Sequence, residues 1–399
     1  MTLCSCAPQQ KAQPPQAQQQ KPPKLIVRPP AEVKPPRILP QANPPAMSFI
    51  HACYIYAYKL QSRQYLEQIR FDQFNVIYLI AAPRWSADEF GGNGAFGFSK
   101  YAAADIYPAG DKGMALVPAF IELAHQNKVK ILLCLQDCDF PGVVRNARSR
   151  DNFVKTMTAL VKKYDYDGIE VDWEEDLDLT VHLNLMAAFR SRLDAMEKES
   201  ANGRHLYLTT AIQAGKEYTA GGAAKLSRLA DWVNVMTYDL GGGLYGDRPV
   251  HNASLSLVKK NLANWAVFEP GKICVGLPSY GYLYRGLKPG QKCFKPITNF
   301  GQSIHYNQLS SLLSSGWKES YDTAAEAPYY FSPDGKSFVT IDNNRSIDRK
   351  MDMIKAGRYR GVFWWEFHCD LTEPAPGQTS FSHSLIDPVE SRIRAMQPH

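Results

Sequence analysis

The chain has 399 residues with 45% hydrophobic content, enough for one large domain with a proper core and too apolar for a disordered protein. Its formal charge of +6 is concentrated in residues 1–46, where Lys11, Lys21, Lys24, Arg28, Lys34 and Arg37 face only Glu32, so residues 47–399 carry about +1. A near-neutral body lacks the concentrated basic patch that phosphate neutralisation needs, which excludes nucleic acid as the main ligand, and no apolar run approaches the length of a bilayer span.

Residues 1–46 hold twelve prolines and eight glutamines. Such a composition buries no core and predicts an extended, partly polyproline tether. Leu3-Cys4-Ser5-Cys6 resembles the end of a bacterial lipoprotein signal, in which the last Cys is lipidated, although the charged start and apolar stretch of such a signal are missing. Two readings stand: a secreted or cell-envelope protein with a membrane tether through Cys6, or a cytoplasmic protein with a soluble tail. The eight cysteines are too sparse for a disulfide scaffold and read mainly as small buried residues. Cys134 and Cys138 show a C-x-x-x-C spacing but have no second ligand pair nearby, so no metal is called.

From residue 47 onward, short apolar runs alternate with helical patterns. Strands are predicted at 49–58, 76–82, 130–135, 168–174, 206–212, 233–238, 273–278 and 361–367, with helices at 151–164, 180–198 and 254–265. Eight such alternations predict an α/β fold, a (β/α)₈ TIM barrel over 47–399. A doubly wound sheet is the rival, but no G-x-G-x-x-G loop follows an early strand. Residues 283–345, rich in Tyr, Phe and Pro with a turn at Pro333-Asp334-Gly335, predict a small α+β insertion lobe between the seventh strand and the following helix.

The fourth strand carries the chemistry. In Asp167-Gly168-Ile169-Glu170-Val171-Asp172-Trp173-Glu174, strand parity places Glu170, Asp172 and Glu174 on one face and Ile169, Val171 and Trp173 on the other. Carboxylates roughly 6 to 7 Å apart along a partly buried face cannot all ionise comfortably, so at least one should hold its proton. A neutral carboxylic acid beside an ionised one is what general acid catalysis of a glycosidic bond requires. The competing structural reading is an exposed acidic edge of an antiparallel sheet. Against it, the residues around Tyr166–Trp173 favour buried strands.

The octet also resembles the D-x-x-D-x-D-x-E signature of glycoside hydrolase family 18, the chitinases, with Glu170 where the family normally has Asp. The resemblance implies that Glu174 is the acid/base, that Asp172 orients the substrate's acetamido group, and that the earlier acidic positions, Glu170 and Asp167, tune Asp172. Asp167 has the wrong parity for the inner face, and a strand-entry role is an equal reading. Met236-Thr237-Tyr238-Asp239 is similar to the family's M-x-Y-D, which implies that Tyr238 holds the acetamido carbonyl and that Asp239 touches the sugar and the acid/base. Gly361-Val362-Phe363-Trp364-Trp365-Glu366 resembles the final strand, with Trp365 as the floor under the cleaved sugar and Trp364 facing the helices. Tyr54 matches a first-strand Tyr near the acidic relay, and Val275-Gly276-Leu277-Pro278-Ser279-Tyr280-Gly281 matches the seventh strand. Met236 and Tyr280 join the implied sugar contacts, whereas Tyr282 stands where many relatives have Arg.

The third strand departs most. Where relatives read S-x-G-G, this chain reads Cys134-Leu135-Gln136-Asp137: a weak thiol donor replaces Ser, and side chains replace glycines. The implied function is a retaining glycosidase acting beside N-acetylglucosamine in chitin or chitooligosaccharides, monomeric and without metal or organic cofactor. The altered third strand keeps an endo-β-N-acetylglucosaminidase acting on glycoprotein glycans or peptidoglycan open. A chitin-binding lectin is weighed down by the presence of Glu174. An envelope-anchored scaffold would rest on the tether alone.

Overall fold

The computed structural model describes residues 49–82, 106–107, 109–136, 139–144, 146–200, 203–241, 247–293 and 301–394. Residues 1–46, expected to form a tether and including Cys4 and Cys6, and the residues Asp137 and Cys138 lie outside these.

Eight parallel strands close into a barrel. They are β1 (Ile50–Tyr56), β2 (Val76–Ile80), β3 (Lys130–Leu135), β4 (Gly168–Asp172), β5 (Tyr207–Gln213), β6 (Trp232–Met236), β7 (Ile273–Pro278) and, after an insertion, β13 (Gly361–Trp365). Each pairs with its sequence neighbour, and β13 closes the ring between β7 and β1. Closure excludes the open doubly wound sheet. All eight predicted strands are present, several trimmed by one or two residues where the chain turns into a loop.

Each strand is buried on both faces, which is why the runs are apolar without strict alternation. On β3, Ile131, Leu133 and Leu135 pack outward with Phe153, Met157 and Leu160 of helix Ala147–Tyr164, while Leu132 and Cys134 turn into the barrel. On β4, Ile169 and Val171, with Trp173 just beyond the strand, belong to the outer layer; Phe140 stacks on Trp173 with ring centroids 5.3 Å apart. Parity then sends Glu170 and Asp172 inward. Gly168 opens β4 because a Cβ there would lie 2.0 Å from the Tyr207 carbonyl oxygen of β5. The helices start on side-chain caps: Asn146 accepts from the Ser149 N–H, and Asp178 accepts from the N–H groups of Thr180 and Val181 at the head of Leu179–Glu199.

The insertion between β7 and helix Asn344–Ala356 is an antiparallel sheet of β8 (Tyr280–Arg285), β9 (Gly301–His305), β10 (Lys318–Asp322), β11 (Ala327–Phe331) and β12 (Ser337–Thr340), ordered β10-β11-β12-β8-β9, with helix Leu309–Ser314. Its first strand starts at Tyr280, three residues ahead of the expected 283. In Tyr280-Gly281-Tyr282-Leu283-Tyr284-Arg285 the alternation is itself a strand signal, with the three tyrosines on one face and Leu283 on the other. Those tyrosines join the barrel-interior cluster, so the lobe grows directly from the rim of the barrel.

Candidate active site

Glu170 is fully buried inside the barrel. Tyr54 Oη donates to its Oε1 at 2.8 Å, Asn234 Nδ2 donates to the same oxygen at 3.0 Å, and Thr209 Oγ1 donates to Oε2. Burial pushes the carboxyl up to about 7, although these hydrogen bonds favour its ionised form. Around it a second tier of polar groups is satisfied in turn. Trp232 Nε1 donates to Tyr78 Oη at 2.7 Å, Tyr78 Oη donates to Asn234 Oδ1 at 3.3 Å, and the Tyr54 and Tyr78 rings stack at 4.6 Å.

Two residues further along β4, Asp172 sits at the end of the strand, nearly as deeply buried. Its Oδ2 accepts from Gln136 Nε2 at 2.9 Å, and Gln136 Oε1 accepts from Tyr56 Oη at 3.1 Å. Glu174 follows beyond the strand end and is half-buried, so the inner face runs from a closed carboxyl at Glu170, raised by burial, to an accessible one at Glu174. Cys134 lies opposite Glu170 in the β3–β4 register.

Tyr238 follows the end of β6 by two residues. Its phenol is held well above its ordinary range by burial first and then by the charges of Asp172, Glu174 and Asp239, so it is a proton-bearing donor in the field of those carboxylates. Its ring lies 6.0 Å from that of Tyr280 and 6.1 Å from that of Phe363. Met236, at the inner end of β6, joins the same interior cluster. Asp239 adopts a left-handed backbone (φ 57°), fixed by its N–H donating to Asn252 Oδ1 at 2.8 Å. Its carboxyl, raised by burial, accepts from Tyr282 Oη at 2.5 Å. The hydroxyl that stands in place of the family's Arg therefore serves Asp239.

Trp365 turns inward at the end of β13, its ring 5.2 Å from Tyr54 and 5.9 Å from Tyr56, while Trp364 turns outward and donates from Nε1 to His51 Nε2 at 3.0 Å. The next residue, Glu366, accepts from Lys59 Nζ at 2.8 Å and contacts His368 at 3.1 Å. Burial opposes its charge, yet His368 and Lys59 outweigh burial and hold it at about 2.

The structure thus gathers Glu174, Asp172, Glu170, Tyr238, Asp239, Tyr54, Met236, Tyr280 and Trp365 around the C-terminal mouth of the barrel, where TIM barrels carry their sites. Asp167 is not among them. It precedes β4, at the opposite end of the barrel. There it accepts from the Ile131 N–H at 2.9 Å and pairs with His125 at 2.8 Å, Lys130 at 3.1 Å and Arg204 at 2.6 Å. Burial opposes that charge, but the three cations win and hold Asp167 well below the usual carboxylate range. Of the two readings left open from the sequence, these contacts fit the strand-entry one. Thr209 and Asn234 were missed from sequence; their signal is a polar residue at an inward-facing position of a buried strand. Cys53, Cys134, Cys274 and Cys369 are buried and Cys293 is half-buried, and none of these five forms a disulfide among the described residues. Among the described residues no group of three or more His, Cys, Asp or Glu could hold a metal ion, and no helix is long and apolar enough to cross a membrane.

Comparison with known proteins yields one family and a consistent set of relatives. The family described as Glycosyl hydrolases family 18 matches residues 52–370. Chitinase 1 of Aphanocladium album is 26% identical over 318 residues, covering 73% of this chain and 74% of that protein. Endochitinase 1 of Metarhizium anisopliae is 28% identical over 274 residues, covering 64% of this chain and 62% of that protein. Chitinase A1 of Niallia circulans is 25% identical, but the match spans only 38% of its length. Among solved structures, a family 18 chitinase from Cycas revoluta in complex with (GlcNAc)3 superposes with a TM-score of 0.64 at 18% identity, covering 87% of this chain and 99% of that one. A class V chitinase from Nicotiana tobaccum gives a TM-score of 0.63, also at 18% identity, covering 81% of this chain and 95% of that one. These two show the shared fold.

Proposed function

The chain belongs to glycosyl hydrolase family 18, and we propose that it is a retaining chitinase, cleaving β-1,4 bonds next to N-acetylglucosamine in chitin or chitooligosaccharides with the substrate's own acetamido group as nucleophile. The observation that carries this reading is the inner line of β4, in which Glu170, Asp172 and Glu174 rise from a dry interior to an open mouth beside the Tyr238 phenol.

Each step has a group suited to it. Glu174, the accessible carboxyl, protonates the leaving glycosidic oxygen and later takes a proton from the incoming water. Asp172 accepts from the acetamido N–H, and Tyr238 donates to its carbonyl oxygen, so the carbonyl is aimed at the anomeric carbon and the oxazolinium charge is stabilised as it forms. No covalent enzyme intermediate is needed, the exception to the two-carboxylate scheme. Glu170, sealed behind Asp172 and raised to about 7 by burial, carries less negative charge behind the reacting pair than an ordinary carboxylate would. Trp365 offers a ring face to the apolar side of the sugar. Glu174→Gln keeps the shape of the side chain and removes the acid; turnover should fall ~10² to 10⁴-fold with oligosaccharide affinity retained. Activity within a few-fold of the parent would refute the assignment.

The catalytic body is read as a monomer and residues 1–46 as an envelope tether anchored through Cys6, supported by their proline and glutamine content and the Leu3-Cys4-Ser5-Cys6 pattern. Mass spectrometry of the protein from its native host decides this: an unmodified Cys6 refutes the anchor and leaves a soluble tail.

A further inference from the structure

We infer that Gln136 is a positioning residue that fixes the orientation of Asp172, an inference that rests on the reading of Asp172 given above. Gln136 follows the last residue of β3 and shares the parity of Leu132 and Cys134, so its side chain enters the barrel mouth. There it spans from β1 to β4. Its Nε2 donates to Asp172 Oδ2 at 2.9 Å while its Oε1 accepts from Tyr56 Oη at 3.1 Å. The two ends of the amide are chemically distinct, and reversing them would set the carbonyl oxygen against a carboxylate oxygen; the amide is locked in one sense.

The consequence falls on Asp172. An aspartate at a strand end can rotate about two side-chain bonds, and each rotation turns the oxygen meant for the acetamido N–H. Gln136 holds Oδ2 from the side of β3, so the direction of that carboxylate is set by the protein before any sugar arrives. Tyr56 extends the link, because its ring meets the edge of Trp365 at 5.9 Å. The ring beneath the sugar and the carboxylate beside it are thereby joined through Trp365, Tyr56, Gln136 and Asp172. A neutral donor does this without adding a charge next to Tyr238 and Glu174. Where the resembling S-x-G-G pattern has glycine, no side chain is present to make the bond.

Two variants separate this from mere filling of space. Gln136→Met keeps the length and most of the volume but donates nothing; Gln136→Gly removes the side chain. Loss of a hydrogen bond to a charged group should lower kcat about ten- to a hundredfold in both variants, with KM for a chitooligosaccharide changed less than about threefold and thermal stability nearly intact. In an Asp172→Ala background the Gln136→Met change should cost little further, since the carboxylate it positions is gone. Full turnover by Gln136→Met, a rise in KM alone, or losses that multiply between Gln136→Met and Asp172→Ala would overturn the inference. Failure of the underlying reading looks different: Asp172→Ala by itself would then turn over like the parent.

Discussion

Replacing Glu170 by glutamine should flatten the pH dependence of stability between pH 4.5 and about 7. Glutamine fits the same space, and its amide can still meet the ring of donors, since the Thr209 hydroxyl can turn to accept and Asn234 keeps a carbonyl-type oxygen to face. What changes is the titration. Burial raises the folded carboxyl from 4.5 to about 7, so the native state holds this proton more tightly than the unfolded chain does. The stabilising contribution of a raised acid is whole below the unfolded value and is lost as pH climbs through the folded one. A gap of that size corresponds to about 3 kcal/mol, large against the 5 to 15 kcal/mol of a typical domain. Urea unfolding of parent and Glu170→Gln at several pH values, plotted as the difference between the two, isolates this group from Asp370, which burial also raises to about 7. The difference should shift by about 3 kcal/mol across the window, the parent losing ground as pH rises. Curves that stay parallel would show that Glu170 titrates normally and that the closed interior around it has been misread.

Two other substitutions probe the ends of the barrel separately. Tyr238→Phe removes a hydroxyl directed to substrate, so kcat on chitooligosaccharides should fall ~10²-fold with little change in melting temperature; a lower melting temperature with normal kinetics would make the residue structural. Arg204→Met breaks the ion-pair cluster around Asp165 and Asp167 at the far end, which should cost about 3 kcal/mol while kcat at permissive temperature stays unchanged; a selective loss of kcat would contradict the separation of the two ends.

Most of the architecture was legible because it follows from local periodicity. Each barrel strand is a short run between turn signals, and parity along β4 already separated Glu170, Asp172 and Glu174 from Ile169, Val171 and Trp173. The same rule, together with the family resemblance, told Trp365 from Trp364, whereas for Asp167 it left a strand-entry role and a site role equally open. What stayed hidden depends on partners distant in sequence. Thr209 and Asn234 reach Glu170 across 39 and 64 residues, and Tyr56 reaches Gln136 across 80, distances over which no pattern in one strand can report. The bond between Tyr282 and Asp239 was concealed in another way. It joins the barrel to the first strand of the lobe, and that strand begins at Tyr280, closer to β7 than the composition of the insertion suggested.

The central claim is that the substrate supplies its own nucleophile. Initial rates on a chitooligosaccharide and on the same oligomer fully N-deacetylated, followed side by side by release of reducing ends, test it most directly. An ammonium group cannot attack the anomeric carbon and gives Tyr238 no carbonyl to hold, so the acetylated oligomer should turn over and the deacetylated one should not. Comparable rates on the two would contradict it, and with it the roles assigned to Asp172 and Tyr238.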